Sequence, residues 1–230
     1  MLPNEADWLG ARMAVLPRER LFPLVNLGSS TAAFRERDQP WIHASLFAAP
    51  KAAGEVVVHV DLKADDGVDL VGDLADPEVL AAIRARAPRS VLCSNLLEHI
   101  ERDELPAYCD RVAGLVGPGG YLLMSVPRAF PYHPDPIDTL LRPSVPDLIA
   151  MFPGFRLVAG EEVIAGRVWG LLRGNVRRLA AKSARLALGR DRARQPSIAG
   201  GTGPSGRLHD WVIPWAWRPF VVTCVVLERP

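Results

Sequence analysis

Long apolar runs and an apolar leader are both missing from this sequence. No run approaches the roughly 20 residues that a helix needs to cross a bilayer. The amino terminus carries Glu5 and Asp7 where a secretory signal has its apolar core. We therefore expect neither a membrane-spanning segment nor a secretory signal, and we predict a cytoplasmic protein.

Cysteine is scarce, with three residues in the chain, Cys93, Cys109 and Cys224. They form no CxxC pair and their number is odd, which disfavours a disulfide framework and a structural zinc site. Free cysteine is among the most buried residue types, so we expect reduced thiols inside the protein.

Net charge is also small, +1 over the whole chain, and gives no general argument for nucleic acid as a partner. The charge is uneven, however, because nine Lys and Arg residues lie within positions 167–194 against the single acid Asp191, so this segment carries +8 and the remainder −7. Apolar residues alternate with these arginines, which predicts an amphipathic helix with a cationic face. Such a helix would suit an anionic membrane surface, an anionic substrate or an acidic partner. The alternative is a solvent-exposed helix that only covers the fold. Nucleic acid is disfavoured because interleaved aromatic residues are few.

The overall composition is typical of a soluble globular protein. With 49% hydrophobic and 23% charged residues, the 230 residues suit a single domain over 1–230 with an insertion. Short apolar runs without strict alternation recur and are typical of parallel strands buried on both faces. They cover residues 24–28, 56–62, 68–74, 90–95 and 121–127. The pattern predicts an α/β fold.

The connecting segments favour helices. Residues 77–87 and 103–116 are rich in Ala, Leu, Arg and Glu and are long enough for crossover helices. Asp76 and Asp103 stand where a carboxylate caps a helix start, and the glycines of 117–120 end the second helix.

The two ends of the pattern are less regular. We predict an N-terminal helical segment over 1–20, a helix over 145–152, and last strands over 155–163 and 220–228. Between these strands, residues 166–208 are predicted to form the basic helical insertion and then a flexible linker rich in Gly, Pro and Ser.

Polar or small residues stand at the ends of the first three strands. Gly28 closes the first strand in LVNLGSST, where backbone can approach a ligand and Ser29 and Ser30 can bind its polar groups, unless it is only a turn glycine. Asp61 ends the second strand, where a carboxylate can accept hydrogen bonds from both hydroxyls of a ribose, or else cap a turn. Asp73 repeats this position after the third strand and could meet an adenine amino group.

A family resemblance unites these residues. The segments LVNLGSS, HVDL, GVDLVGDL, SVLCSNLLEHI and LVGPGGYLLMSVP resemble, in order, the motifs of class I S-adenosylmethionine-dependent methyltransferases of the type 11 kind, over residues 21–165. The most diagnostic part is NLLEHI, followed by a helix and then PGG before an apolar strand. The resemblance implies a Rossmann-like sheet of seven mostly parallel strands, the last one antiparallel, with helices on both faces. The implied cofactor is S-adenosylmethionine.

The resemblance also implies roles for single residues. Asp61 holds the ribose and Leu62 beside it is also a cofactor-binding candidate. Asp73 with Leu74 lies near the adenine, and the methionine moiety is flanked by Ser94, Asn95 and Leu96. Two departures stand against it: the first motif has one glycine where the family usually has two or three, and Gly28 precedes Asp61 by 33 positions. We assign the extra length to residues 41–54. These departures keep a catalytically inactive binding or scaffold subunit as the alternative, while the missing GxGxxG weighs against a nicotinamide enzyme.

Catalytic candidates follow strands four and five. Glu98 and His99 come directly after strand four, and His99 can transfer protons at neutral pH, unless Glu98 pairs locally and His99 only packs. The proline-stiffened loop 131–144 follows strand five, where an open sheet exposes its ligand cleft.

We predict that this loop covers the acceptor, unless it is only an internally bonded structural loop. His133 or Asp138 would be the base, Arg142 would hold an anion or pair with an acid, and Asp135 completes the set of acceptor-binding candidates. A metal site from His133, Asp135 and Asp138 is disfavoured because nothing else supplies ligands, so no metal is predicted.

Together these features predict methyl transfer to a small-molecule acceptor or to a glycan- or lipid-linked one. In-line placement of the acceptor supplies much of the rate of such a reaction, so an elaborate catalytic dyad is unnecessary. A lipid-linked acceptor would bring the cytoplasmic protein to the inner membrane face through residues 167–194.

Overall fold

A computed structural model describes residues 1–133, 137–167 and 218–230. Within them, seven strands form one sheet in the order β3-β2-β1-β4-β5-β7-β6. Strands β1 to β5 pair in parallel, and β7 runs antiparallel to both β5 and β6. The strands are β1 Leu24–Leu27, β2 Val57–Asp61, β3 Leu70–Val71, β4 Ser90–Ser94, β5 Tyr121–Ala129, β6 Arg156–Arg167 and β7 Pro219–Glu228. The predicted α/β class and the antiparallel last strand are confirmed.

Two strands differ in length from the prediction. β3 has two residues, because at this edge of the sheet it pairs with β2 only at Leu70 and Val71. β6 is longer than expected, because its pairing with β7 continues to Arg167 opposite Pro219. Residues 166 and 167 therefore belong to the strand, and the rest of the predicted insertion and linker lies outside the described residues, as does Asp135.

Helices occupy most of the connections. They are α1 Pro3–Val15, α2 Arg18–Leu21, α3 Pro40–Ile42, α4 Ala48–Ala52, α5 Pro77–Arg84, α6 Leu105–Leu115 and α7 Val145–Ala150, with π-helical turns over Phe34–Asp38 and His43–Phe47 and a 3₁₀ turn over Leu97–His99. Asp76 caps α5 as predicted, accepting the amide of Glu78 at 2.8 Å. The predicted cap at Asp103 is wrong, because α6 begins at Leu105 and its cap position, Glu104, makes no side-chain hydrogen bond.

Apolar side chains bury both faces of the sheet. Along β1, Val25 and Leu27 enter the larger core, which contains α5, α6 and α7, whereas Leu24 enters a second core beneath α1. A strand with cores on both sides must be apolar at successive positions, which explains why β1 lacks strict alternation. Cys93, Cys109 and Cys224 are buried.

The additional residues between Gly28 and Asp61 pack against α1 and form a layer with it on one face of the sheet. Ile42, Leu46 and Phe47 are buried in the same cluster as Leu9 and Met13 of α1. The segment assigned to the extra length is thus largely helical and covers one face of the sheet. None of the helices in the described ranges combines the length and the apolar character needed to cross a bilayer.

Candidate functional site

A cleft of about 830 Å³ runs along the ends of β1, β2 and β4 and past the start of the loop after β5. Most of the residues singled out from the sequence line this one cleft: Gly28, Ser30, Asp61, Leu62, Asp73, Leu74, Ser94, Asn95, Leu96, His99 and His133. Ser29 is buried and instead lines a smaller cavity of about 60 Å³. The carboxyl ends of parallel strands meet at one sheet edge, which is why residues far apart in the chain converge here.

The turn after β1 is shaped by a glycine in a left-handed conformation. Gly28 has φ +63°, and a Cβ there would lie 3.1 Å from Cδ1 of Leu96, so a side chain would meet both backbone strain and a tight contact. The turn continues through Ser30, which also has positive φ, at 54°. Gly28 therefore lets the first loop pass directly beside Leu96 at the cleft.

Asp61 anchors this first loop. Its Oδ2 accepts the backbone N–H of Ser30 at 2.7 Å, and its Oδ1 accepts the N–H of Lys63 at 3.1 Å. The amide that sequence reasoning assigned to a ligand thus holds the carboxylate instead. Each carboxylate oxygen has a further lone pair, so Asp61 can still accept hydrogen bonds from hydroxyl groups in the cleft.

Arg35 also stabilises the loop after β1, a role that the sequence did not indicate. The buried guanidinium donates to the carbonyl oxygens of Ser29 at 3.0 Å, Ser30 at 2.5 Å and Gly67 at 2.8 Å. Burial lowers the pKa of Arg35. Its side chain ties down a turn that lacks the usual run of glycines, and nothing in the local sequence FRERD indicates this contact.

The end of the cleft at β3 combines an acid with apolar surface. Asp73 accepts the amide of Ala75 at 2.8 Å through Oδ1 and is exposed at the cleft wall. Leu74 behind it is buried, whereas Leu62 is 66% exposed. A flat, partly apolar group with polar edges could lie between these side chains.

A buried carboxylate from the N-terminal helix lies where the end of β4 meets the middle of β5. Oε1 of Glu5 accepts hydrogen bonds from Asn95 Nδ2 at 2.7 Å, Ser125 Oγ at 2.6 Å and Ser94 Oγ at 3.3 Å. Oε2 accepts the amide of Leu2 at 2.9 Å. Glu5 is fully buried and also lines the cleft. It therefore orients two of the residues predicted to flank the cofactor, a role that its position near the amino terminus did not suggest.

The other end of the cleft brings two histidines onto one buried carboxylate. Nε2 of His99 lies 3.8 Å and Nε2 of His133 lies 3.7 Å from Oε1 of Glu98, which is 0% exposed. The rings of the histidines meet edge to face, 5.4 Å apart. Burial lowers the pKa of His133, but the carboxylate of Glu98, the carbonyl of Pro131 and Asp138 outweigh burial, so that the pKa is raised overall.

Asp138 and Arg142 stabilise the loop after β5. Arg142 donates to both carboxylate oxygens of Asp138, at 3.1 and 2.7 Å, and the carboxylate also accepts the amides of His133 and Leu140 at 3.0 and 2.8 Å. Burial raises the pKa of Asp138, but these donors outweigh it and lower the pKa. Neither Asp138 nor Arg142 lines the cleft. Arg142 thus pairs with an acid, which is one of the two roles predicted for it, and Asp138 is its partner within the loop. The role of Asp138 as a base stays a prediction.

Comparison with solved structures identifies the fold. The chain is similar to a SAM-dependent methyltransferase from Archaeoglobus fulgidus, with a TM-score of 0.50 and 12% identity over 97% of this chain and 94% of that one. It is also similar to one from Anabaena variabilis, with a TM-score of 0.52 and 12% identity over 96% and 82% of the two chains. A third similar structure is the [4+2]-cyclase SpnF, with a TM-score of 0.52 and 15% identity over 97% and 80%.

Comparisons by sequence give no further assignment. No protein-family model matches the chain, and no curated protein matches it either. The protein has the fold of class I SAM-dependent methyltransferases, as the order of the seven strands also shows.

Proposed function

We propose that the protein binds S-adenosylmethionine in the cleft and transfers its methyl group to a small-molecule acceptor or to a glycan- or lipid-linked one. The observation that carries this proposal is the convergence of Gly28, Asp61, Asp73 and Asn95 on one cleft of about 830 Å³. A cavity of this size lies within the usual range for small-ligand sites.

The cleft offers suitable contact residues for each part of the cofactor. Asp61 can accept the two ribose hydroxyls while the Ser30 amide keeps its carboxylate in place. Asp73 and Leu74 offer an acceptor and an apolar surface to the adenine. The methionine moiety would lie along Ser94 and Asn95, whose side chains Glu5 orients.

The acceptor would enter from the side of His99 and His133. In this arrangement the transferred methyl group lies between the β4 end and the loop after β5, and the fixed walls supply the positioning on which methyl transfer depends. His133 stays the better candidate for contact with the acceptor, because it is the more exposed of the two, with 30% of its side chain accessible against 15% for His99.

Cofactor binding can be measured before the acceptor is known. We expect calorimetry to detect S-adenosylhomocysteine binding by the full chain, and Asp61→Asn to weaken it about 10- to 100-fold, since hydrogen bonds to a charged acceptor contribute about 1.5–3 kcal/mol each. Asp65→Asn, an exposed acid in the loop after β2, is the matched control and should bind as the wild type does. No binding by the wild type would refute the proposal.

Methyl transfer needs a second experiment. The wild type, incubated with methyl-labelled S-adenosylmethionine and small-molecule or lipid extracts, should move label into one fraction, and Asp61→Asn should do so far more slowly. Tight binding with no transfer into any fraction would favour a catalytically inactive binding or scaffold subunit. The single glycine of the first motif, where the family usually has two or three, is the observation that keeps this alternative open.

A further inference from the structure

The buried carboxylate of Glu98 lacks a hydrogen-bond partner. Among the described residues, neither Oε1 nor Oε2 accepts a hydrogen bond, and the residue is 0% exposed. Leaving a buried charge without a donor or a cation is costly, so an unsatisfied carboxylate indicates a missing group. The Nε2 atoms of His99 and His133 lie 3.8 and 3.7 Å from its Oε1, which is beyond hydrogen-bond length.

Both imidazoles turn their other ring nitrogen toward a protein acceptor. Nδ1 of His99 lies 2.5 Å from the carbonyl oxygen of Ile137, and Nδ1 of His133 lies 3.2 Å from the carbonyl of Pro131 and 3.2 Å from Oδ2 of Asp138. With the proton on Nδ1, the lone pair of each Nε2 faces Glu98. Histidines that bind metal ions generally donate their second N–H to a carbonyl or a carboxylate in this way.

The spacing of the three ligand atoms fits a single ion after a small contraction. One ligand atom from each of the three residues lies within 4.8 Å of the other two, and the two Nε2 atoms lie 3.8 and 3.7 Å from Oε1 of Glu98. A tetrahedral zinc ion with bonds of about 2.0–2.2 Å holds its ligand atoms roughly 3.4 Å apart. The separations from Glu98 therefore need to shrink by only a few tenths of an ångström, which side-chain rotation can provide.

We propose that Glu98, His99 and His133 bind one divalent transition-metal ion of the zinc class. Two imidazoles and one carboxylate are the donors of open, catalytic zinc sites, whereas Mg²⁺ prefers oxygen ligands. The metal set considered from the sequence shared only His133 with this one. The sequence did not reveal this set of residues, because Glu98 and His99 come close to His133 only when the loop after β5 folds back onto β4.

The remaining coordination position faces the cleft, because both histidines line it while Glu98 lies behind them. We assign this position to an oxygen atom of the acceptor, and this assignment rests on the proposed methyl transfer. An ion bound there would orient that oxygen and lower the pKa of its hydroxyl group. Metal binding itself requires neither cofactor nor acceptor.

The test is a zinc titration of the full chain after removal of metal with a chelator. Calorimetry should find one Zn²⁺ site per chain, with far weaker binding of Mg²⁺, and Co²⁺ should give the visible absorption of a tetrahedral complex. His99→Ala and His133→Ala should each weaken Zn²⁺ binding by more than the about 10- to 100-fold that loss of an outer-sphere partner costs. Glu98→Gln, nearly equal in shape, should do the same.

His43→Ala is the matched control, since His43 is half-buried like His133 but lies beside Glu36 in the π-helical turn His43–Phe47 and does not line the cleft. It should retain the site, and circular dichroism melting should show that every variant is folded. Absence of stoichiometric Zn²⁺ binding by the wild type, or equal binding by folded His99→Ala and His133→Ala, would mean that the cluster is an ion pair and would overturn the proposal.

A parallel titration with S-adenosylhomocysteine separates this inference from the proposed function. If the chelator-treated protein binds S-adenosylhomocysteine but binds no zinc, only the metal site is refuted. If zinc binds at the cluster and S-adenosylhomocysteine does not, only the cofactor assignment is refuted.

Discussion

Replacing Glu5 by alanine tests whether the N-terminal helix is fastened to the sheet edge by its buried carboxylate. The change removes the acceptor of three side-chain donors, on Ser94, Asn95 and Ser125, and of the Leu2 amide. Hydrogen bonds to charged groups contribute about 1.5–3 kcal/mol each. Water in the cleft can replace the lost hydrogen bonds of Ser94 and Asn95 in part. Ser125 keeps its hydrogen bond to Ser94 at 2.8 Å.

We therefore expect a net loss of about 3 kcal/mol in the free energy of unfolding, which corresponds to one or two of these hydrogen bonds. For a chain of this length each kcal/mol shifts Tm by about 2–4 °C, so Glu5→Ala should melt about 10 °C below the wild type. Glu5→Gln keeps an acceptor oxygen for the same donors and should lose only about a third of that.

Differential scanning calorimetry measures these shifts directly. Glu19→Ala, which removes an exposed glutamate from α2, is the control and should stay within about 1 °C of the wild type. Were Glu5→Ala to melt together with Glu19→Ala, the four hydrogen bonds would contribute nothing net, and the assignment of Glu5 as an anchor would fail.

Two further predictions concern His59 and Gly28. Burial, then the charge of Arg35, lowers the pKa of His59 to about 4 from 6.5. The unfolded chain therefore binds a proton that the folded chain does not between these values, and stability should fall by up to about 3 kcal/mol as pH drops from 6.5 to 4. Urea unfolding at several pH values should show this loss and His59→Gln should reduce it; an unchanged slope in the variant would refute it. Gly28→Ala should weaken S-adenosylhomocysteine binding and cost about 1–2 kcal/mol of stability. Gly54→Ala, with φ +71° but no atom near the added Cβ, should cost stability alone, and equal binding by the two variants would contradict the contact with Leu96.

Several parts of the site were predictable because strand order alone brings them together. Asp61 and Asp73 follow consecutive parallel strands, and residues at such strand ends share one edge of the sheet. The same reasoning located Gly28, whereas Asn95 was implied by the family resemblance. Strand order could not show that the Ser30 amide is used by Asp61, because that contact depends on the path of the turn in three dimensions.

Other parts depended on contacts that no local pattern reports. Glu5 reaches Ser125 across 120 positions of the chain, and Arg35 reaches Gly67 across 32. The sequence predicted that Arg142 would hold an anion or pair with an acid, and only the structure identified Asp138, four positions earlier, as that acid. Polar residue type and position in the chain do not reveal which partner a side chain finds.

The sequence by itself determined the α/β architecture, because apolar runs, helix-forming segments and glycine turns are local signals that each element carries within its own residues. It also determined the order of the motifs, and hence which strand ends carry acids. Only the tertiary structure decided that Glu98, His99 and His133 form one cluster and that Glu5 supports the cleft. These contacts join elements far apart in the chain, and their free energy depends on burial and distance, which arise only when the sheet, the N-terminal helix and the loop after β5 are packed together.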